Sequence, residues 1–398
     1  MKILWLCNYS LYYLKSRIRL TVSPQKFHPT TWIHYLVEEI KKRDVELIIL
    51  ITSPYVKKTT IVSENNVTYH IIPRGLSFIG KGYPEYCRLD TMTNYFFLQN
   101  VIQKTIKSYQ PDILTAHGTE DVYSLPLLRS STPSVVWIQG FISDILKTNP
   151  DNYFLKKQNL LEQQVLSHQK AFISNCSDFD NYFFMHNQQA EISYLSYPIS
   201  NEAFAISEPE KDADICFTGS LIKRKGIEDF IGMVHLLKQK RPDIRAKLIG
   251  GHLTSDYGLF LKELITKYGI EHNLIFKGYL PEHADVLKEM AKSHVFVLPS
   301  YFDAGPRCIA ESMALKVPVV AYQINGVSWM LGENNERGMT VPAGDIVQLA
   351  ASVETFLENR QEVATTTGNA FAFATKHFLA SSVVDGLLEI YQKILTKT

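Results

Sequence analysis

The chain of 398 residues is marked first by what it lacks. It contains no apolar run approaching the roughly 18 residues that a membrane-crossing helix requires. Neither charge is in surplus: 41 Lys plus Arg stand against 40 Asp plus Glu, so no uniform field draws in nucleic acid or an anionic membrane. Cysteine is scarce. Cys7, Cys87, Cys176, Cys216 and Cys308 are five in number and far apart, with no CxxC or Cys/His cluster. That argues against a zinc site and a disulfide framework, and fits a reducing compartment. No G-x-G-x-x-G follows the first strand of either half, which disfavours a nicotinamide oxidoreductase. Internal repeats and low-complexity segments are absent. The N-terminus, MKILWLCNYSLYYL, has a lysine before apolar residues, but Asn8 interrupts the run and no small-residue cleavage site follows. It reads as a first buried strand, and the expected location is cytoplasmic.

What is present is an alternation of strand and helix patterns, the signature of an α/β fold with parallel sheets. Strands are expected at Lys2–Cys7, Val45–Thr52, Val67–Ile72, Ile113–Ala116, Val135–Ile138 and Ala171–Ile173. Trp32, Leu36, Val37 and Ile40 mark one face of a helix; Tyr95–Tyr109 and the charged Asn152–His168 read as two more. Ser207–Asp214, SEPEKDAD, is charged, lacks a bulky apolar residue and is the best linker. A second series follows, with strands at Ile215–Thr218, Ala246–Ile249, Leu274–Phe276, Val295–Leu298 and Pro318–Ala321 and helices at Leu349–Leu357 and Val383–Ile394. The expected division is residues 1–205, residues 206–378 and a C-terminal helix, 379–398, packing back on the first domain. With 21 Tyr and 21 Phe, the chain is rich in aromatics, which fill cores or stack on sugar rings.

The most informative segment is Val295–Val320, VFVLPSYFDAGPRCIAESMALKVPVV. A buried strand leads through Pro299, Ser300 and Gly305 to Pro306, a residue suited to the first position of a helix. Such a helix start presents free N–H groups and a positive dipole end, which suits a diphosphate. Two acids flank it, Asp303 and Glu311. Carboxylates accept hydrogen bonds from ribose or sugar hydroxyls, so the pair makes sense if the phosphate ligand also carries hydroxyls.

This segment resembles the nucleotide-sugar signature of retaining GT-B glycosyltransferases, the family-4 group: an acid, seven residues, Glu311, then Ser312-Met313-Ala314 and Pro318-Val319. Asp303 stands where the family has Glu. The resemblance implies two facing Rossmann-like domains with the ligand in the cleft between them, and places Gly305, Pro306, Arg307, Cys308 and Ile309 against the donor. FTGSLIKRKG, Phe217–Gly226, is similar to the family's Gly-Arg-Leu stretch followed by Lys-Gly. Gly219, Leu221, Lys225 and Gly226 match, and Ser220 replaces the family's Arg. Lys225, with Lys223 or Arg224, would offset the charge that grows on the leaving diphosphate. Gly250, in LIGG, permits close backbone approach. Gly278, Tyr279 and Leu280, after another strand, lie where the family meets the base. Gly326, preceded by Asn325, resembles the turn after the Pro-Val strand.

In the first half, PDILTAHGTE delivers His117 to a strand end, where the family often has a histidine near the donor sugar. VVWIQG delivers Gln139 to another strand end, and Gln139 and Trp32 are candidates for the acceptor. The loop Asn8–Thr31 carries Tyr9, Tyr12, Tyr13, Lys15, Arg17, Arg19 and Lys26 but no glycine; these residues would hold a sugar acceptor or an anionic lipid carrier, or form a plain loop. Asp212-Ala213-Asp214 and Asp178-Phe179-Asp180 have the DxD form of metal-dependent enzymes but stand in the wrong context, so no metal and no other cofactor is expected.

The resemblance therefore implies transfer of a sugar from a nucleotide-diphosphate sugar to a hydroxyl of a glycan or lipid-linked acceptor, with retention. Lys225, Glu311 and His117 would be the catalytic groups. No nucleic-acid partner is implied; peripheral contact with the inner face of a membrane is compatible with it. The rival readings are a nucleotide-sugar epimerase and a non-catalytic glycosyltransferase-like partner protein.

Overall fold

The computed structural model describes residues 1–21, 30–74, 89–251, 253–303 and 305–397. The chain divides into two compact units, residues 1–197 with 383–398, and residues 198–382. The boundary falls at Tyr197-Pro198 rather than at 205/206, because Ile199 and Ala203 are buried in the core of the second unit. Asp214 and Ala213, read as linker, already belong to that unit's first strand.

The first unit is built on an eight-stranded sheet ordered β3-β4-β2-β1-β5-β6-β7-β8. Its strands are β1 (Lys2–Leu6), β2 (Glu46–Ser53), β3 (Thr60–Glu64), β4 (Val67–Pro73), β5 (Ile113–His117), β6 (Ser134–Trp137), β7 (Ala171–Ser174) and β8 (Glu191–Tyr194). All neighbours are parallel except β3 and β4, an antiparallel hairpin closed through Asn65 at φ 54. The central strands are continuous apolar runs because cores lie on both faces of the sheet. The C-terminal helix Ala380–Lys397 contributes Val383, Val384, Leu387 and Tyr391 to one of these cores. There Trp5 Nε1 donates to the Tyr391 hydroxyl at 2.9 Å, and that hydroxyl shares a 2.5 Å hydrogen bond with Thr115 Oγ1.

The second unit has a fully parallel six-stranded sheet ordered β11-β10-β9-β12-β13-β14. Its strands are β9 (Ala213–Thr218), β10 (Ala246–Ile249), β11 (Leu274–Gly278), β12 (Ser293–Leu298), β13 (Val319–Tyr322) and β14 (Met339–Val341). Counted from β9, the order is that of a dinucleotide-binding Rossmann sheet, and the strand order reverses between β9 and β12. Ligands of such sheets bind beyond the carboxyl ends of the strands at that reversal. Among the described residues, no helix is long and apolar enough to cross a membrane.

Candidate functional site

The segments leaving β9 and β12 meet at the reversal. After β9 the chain passes Gly219 and a short turn, Lys223–Lys225, and enters the helix Ile227–Lys240 at Gly226. Gly226 has φ +67, and a Cβ there would stand 1.8 Å from the Pro299 carbonyl oxygen, so only glycine lets the two segments run this close. Tyr301 N–H and the Ser300 hydroxyl both donate to the Arg224 carbonyl, at 2.9 and 3.3 Å. Arg224 Nη1 donates to the Phe302 carbonyl at 3.1 Å. Lys225 Nζ forms an ion pair with Asp303 Oδ2. Asp229, in the first turn of the helix, accepts hydrogen bonds from the Tyr301 and Tyr322 hydroxyls at 2.6 and 2.7 Å. The loop that carries Asp303 is therefore fastened to the segment that carries Lys225.

Beyond Gly305 the helix Arg307–Ala314 begins, with Pro306 as the residue before its first turn rather than in it. The amphipathic phase of this helix corrects one expectation. Ile309 is fully buried in the core and its N–H donates to the Pro306 carbonyl at 3.0 Å, so neither side chain nor amide remains for a donor. Cys308 is half-buried, and burial pushes its thiol up to about 12, which leaves it protonated. Glu311 is buried on the same helix, and its Oε1 stands 3.1 Å from His283 Nε2, on the helix His283–Ala291 that follows β11. Burial works against the charge of both. Their mutual hydrogen bond outweighs it, with Arg307 assisting at Glu311. The Glu311 carboxyl is held below its ordinary range and the His283 imidazole above its own. His283 was not singled out from sequence; its only signal was its position at the start of a helix just after Gly278.

The other candidates on this crest are disposed variously. Ser220 and Lys223 are exposed, and Lys223 forms no ion pair among the described residues. Gly250 serves the protein itself: a Cβ there would lie 2.6 Å from the Gly219 carbonyl oxygen. Gly278 has φ +66, Tyr279 after it is 51% exposed and Leu280 packs on the core. Ala304 lies outside the described residues.

In the first unit, Trp32 does not offer its face to an acceptor. It is buried against Trp137 and Tyr197, with ring centroids 5.2 and 4.4 Å away, because it lies on the apolar face of the helix Thr31–Ile40. His117 is enclosed by Trp5, Trp32 and Trp137, and neither ring nitrogen has a partner among the described residues. Burial pushes its imidazole down to about 3, so at pH 7 the ring is neutral, with one N–H to donate in a hydrogen bond and no imidazolium proton to give as a general acid. Gln139 is half-buried just past β6. Of the aromatic and basic residues before position 22, Arg19 is exposed and the others are engaged with the protein. Tyr13 stacks on His34 at 3.5 Å, Tyr9 shares a 2.9 Å hydrogen bond with His34, Lys15 lies over the Tyr12 ring and Arg17 pairs with Glu64. Lys26 lies outside the described residues, as does Cys87.

Both DxD stretches are engaged structurally. Asp212 pairs with Lys247, Asp214 accepts the Arg245 N–H at 2.8 Å, and Asp180 accepts the Tyr194 hydroxyl.

Comparison with known proteins bears on this crest. Residues 198–372 match the model of the family described as Glycosyl transferases group 1. The match lies wholly within the second unit, residues 198–382. The lipopolysaccharide core biosynthesis mannosyltransferase LpsB of Rhizobium meliloti (strain 1021) is 26% identical over 192 residues, 47% of this chain and 53% of that protein. The chain spans about half the length of the curated relatives it matches. Among solved structures, the fold is similar to that of sucrose-phosphate synthase from Thermosynechococcus elongatus, with TM-score 0.72, 14% identity and coverage of 100% of both chains. It is also similar to Anabaena HepE in complex with UDP and glucose, with TM-score 0.65, 18% identity and coverage of 98% and 99%. These structural likenesses establish the GT-B type of α/β fold, two parallel-sheet domains.

Proposed function

We propose that the chain is a retaining glycosyltransferase that moves a sugar from a nucleotide-diphosphate sugar to a hydroxyl of a glycan or lipid-linked acceptor. The observation that carries this reading is the pairing of Lys225 with Asp303 across the sheet reversal, inside a unit that matches the group 1 model. LpsB is by name a mannosyltransferase and HepE holds UDP and glucose, which supports a sugar nucleotide as donor.

In this reading the diphosphate lies at the crest, where Lys225 and the start of the helix Arg307–Ala314 face negative charge. Glu311 accepts hydrogen bonds from ribose hydroxyls, and Asp303 from the donor sugar. The bond from the sugar's anomeric carbon to the β-phosphate oxygen breaks as the acceptor oxygen bonds to the same face. The acceptor's proton passes to the departing phosphate oxygen, so no enzymic base is consumed. Negative charge grows on that phosphate, and Lys225 stabilises it. The acceptor falls to the first unit, where Gln139 stands at a strand end. No metal or other cofactor takes part. Neutral, enclosed His117 positions rather than transfers protons.

A thermal-shift panel of UDP-, GDP- and ADP-sugars tests the donor class, because a ligand at a hundredfold its dissociation constant stabilises by about 2.7 kcal/mol. Anomeric analysis of the product tests retention. Turnover of the sugar nucleotide to an epimer without acceptor would replace this reading by the epimerase, and absence of any nucleotide-sugar response would replace it by a non-catalytic partner.

A further inference from the structure

The crest holds one charged contact that no part of the transfer chemistry uses. Glu311 and His283 come from helices that follow different strands, β12 and β11, and they meet at 3.1 Å. Glu311 is the buried member, and His283 is two-fifths exposed at the first turn of its helix. A buried carboxylate needs a hydrogen-bonding partner to stay ionised and to hold one rotamer. Among the described residues, His283 is the one that donates to it, and it does so to Oε1 alone; Oε2 takes no hydrogen bond from them. A carboxylate anchored by one oxygen and open at the other is oriented to accept a hydroxyl. The helix that bears His283 also packs against the short helix Glu202–Ala205, whose Glu202 carries further negative charge toward the imidazole.

We propose that His283 is a positioning residue for nucleotide recognition: by fixing Glu311 through Oε1, it directs Oε2 at a ribose hydroxyl and makes the site discriminate ribonucleotides from 2′-deoxyribonucleotides. The proposal rests on the sugar-nucleotide reading of the same site. It separates two functions of the crest. Lys225 answers the diphosphate, which ribo and deoxy ligands share, and the His283–Glu311 pair answers the ribose, which they do not share. His283 need not touch the ligand. A side chain that keeps an N–H donor at the same place should replace it, and one that only fills its volume should not.

The test is calorimetric binding of UDP, GDP and ADP, each beside its 2′-deoxy counterpart, to the full chain and to His283→Gln and His283→Phe. Loss of one hydrogen bond to a charged group is worth about tenfold in affinity, so the wild-type protein should prefer the ribo form of its nucleotide by about that factor. His283→Gln should keep most of the preference. His283→Phe should bind ribo and deoxy forms nearly alike, with the deoxy affinity little changed from wild type. A merely structural histidine would lower the melting temperature of both variants and leave the ribo-to-deoxy ratio intact, and that result overturns the proposal. So does a wild-type protein that binds nucleotide without discriminating. A wild-type protein that binds none of the three nucleotides overturns the sugar-nucleotide reading first, and this inference with it.

Discussion

Lys225 and Asp303 stand 78 positions apart in the chain, yet their side chains form an ion pair in the fold. Each is largely buried, with 15% and 19% of the side chain exposed. The cation that the proposed chemistry needs is thus held in place before any ligand arrives, by an acid that the same chemistry assigns to the sugar.

Lys225→Ala should therefore lower turnover by about a hundredfold, the order expected on removing one charged stabiliser of a developing anion. The donor's KM should change less, because the charge on the phosphate is greatest in the transition state. Asp303→Ala should also be impaired, and the double variant should be less impaired than the product of the two, since the pair acts as a unit. Steady-state kinetics of the four proteins checks this. Unchanged kcat in Lys225→Ala with weakened donor binding would show that Lys225 only anchors the nucleotide.

The first unit contains a buried acid with no cationic partner among the described residues. Glu162 accepts hydrogen bonds from the Thr119 hydroxyl and, at 3.0 Å, the Ile142 N–H. Burial nevertheless pushes its carboxyl up to about 7, from an ordinary value of 4.5. Between those two values the folded protein binds more protons than the unfolded chain, so this group costs stability as pH rises from 4.5 to 7. At about 1.4 kcal/mol per pK unit, the full cost above pH 7 is a few kcal/mol. Glu162→Gln keeps an acceptor for Thr119 and Ile142 and cannot ionise. Its gain in melting temperature over wild type should be near zero at pH 4.5 and largest at pH 8. A gain independent of pH would mean that Glu162 is not the titrating group.

Much of the second unit was legible in the sequence because a strand covered on both faces must be apolar throughout. Val295–Leu298 is the core of β12, and Ile215–Thr218 of β9. The edge strand β3 escaped notice because its side chains alternate between half-buried and exposed, and Ile61 is 55% exposed. Trp32 was legible twice, as a member of an apolar helix face and as a ring for a sugar, and burial decides for the first. Ile309 is similar. Its spacing from Met313 places both on the buried face of one helix turn, and that outweighs proximity to the phosphate-binding end. His283 was invisible for a different reason. Its role depends on a contact spanning 28 positions between two helices, and local pattern does not encode that contact.

The C-terminal helix is locked into the first unit by a polar contact in its core. The Tyr391 hydroxyl meets both Trp5 Nε1 and Thr115 Oγ1, and all three side chains are buried. Tyr391→Phe leaves two buried polar groups unsatisfied, at about 1–3 kcal/mol each before relaxation. The melting transition should fall by several degrees. An unchanged transition would show that the helix is held by its apolar face alone.

Asp212 offers a test of the expectation that no metal takes part, because its DxD spelling invites a divalent ion. Its carboxylate is committed elsewhere. Lys247 is 1% exposed, and its ammonium lies between Asp212 and Glu289, with Glu289 Oε2 at 3.1 Å. Asp212→Ala would leave Lys247 with Glu289 alone. Breaking a fully buried pair costs about 3–5 kcal/mol, and the cost here should be smaller, about 1–3, because Asp212 is half exposed and Glu289 remains. The variant should therefore melt earlier than wild type. Below its melting transition it should transfer sugar at the wild-type rate, and activity of both proteins should survive EDTA. Those two readouts separate the roles cleanly: a structural aspartate moves the melting curve and spares kcat, and a metal ligand does the reverse. If chelation removed activity, manganese restored it and Asp212→Ala abolished the restoration, then the electrostatic account built on Lys225 would have to give way to one built on an ion.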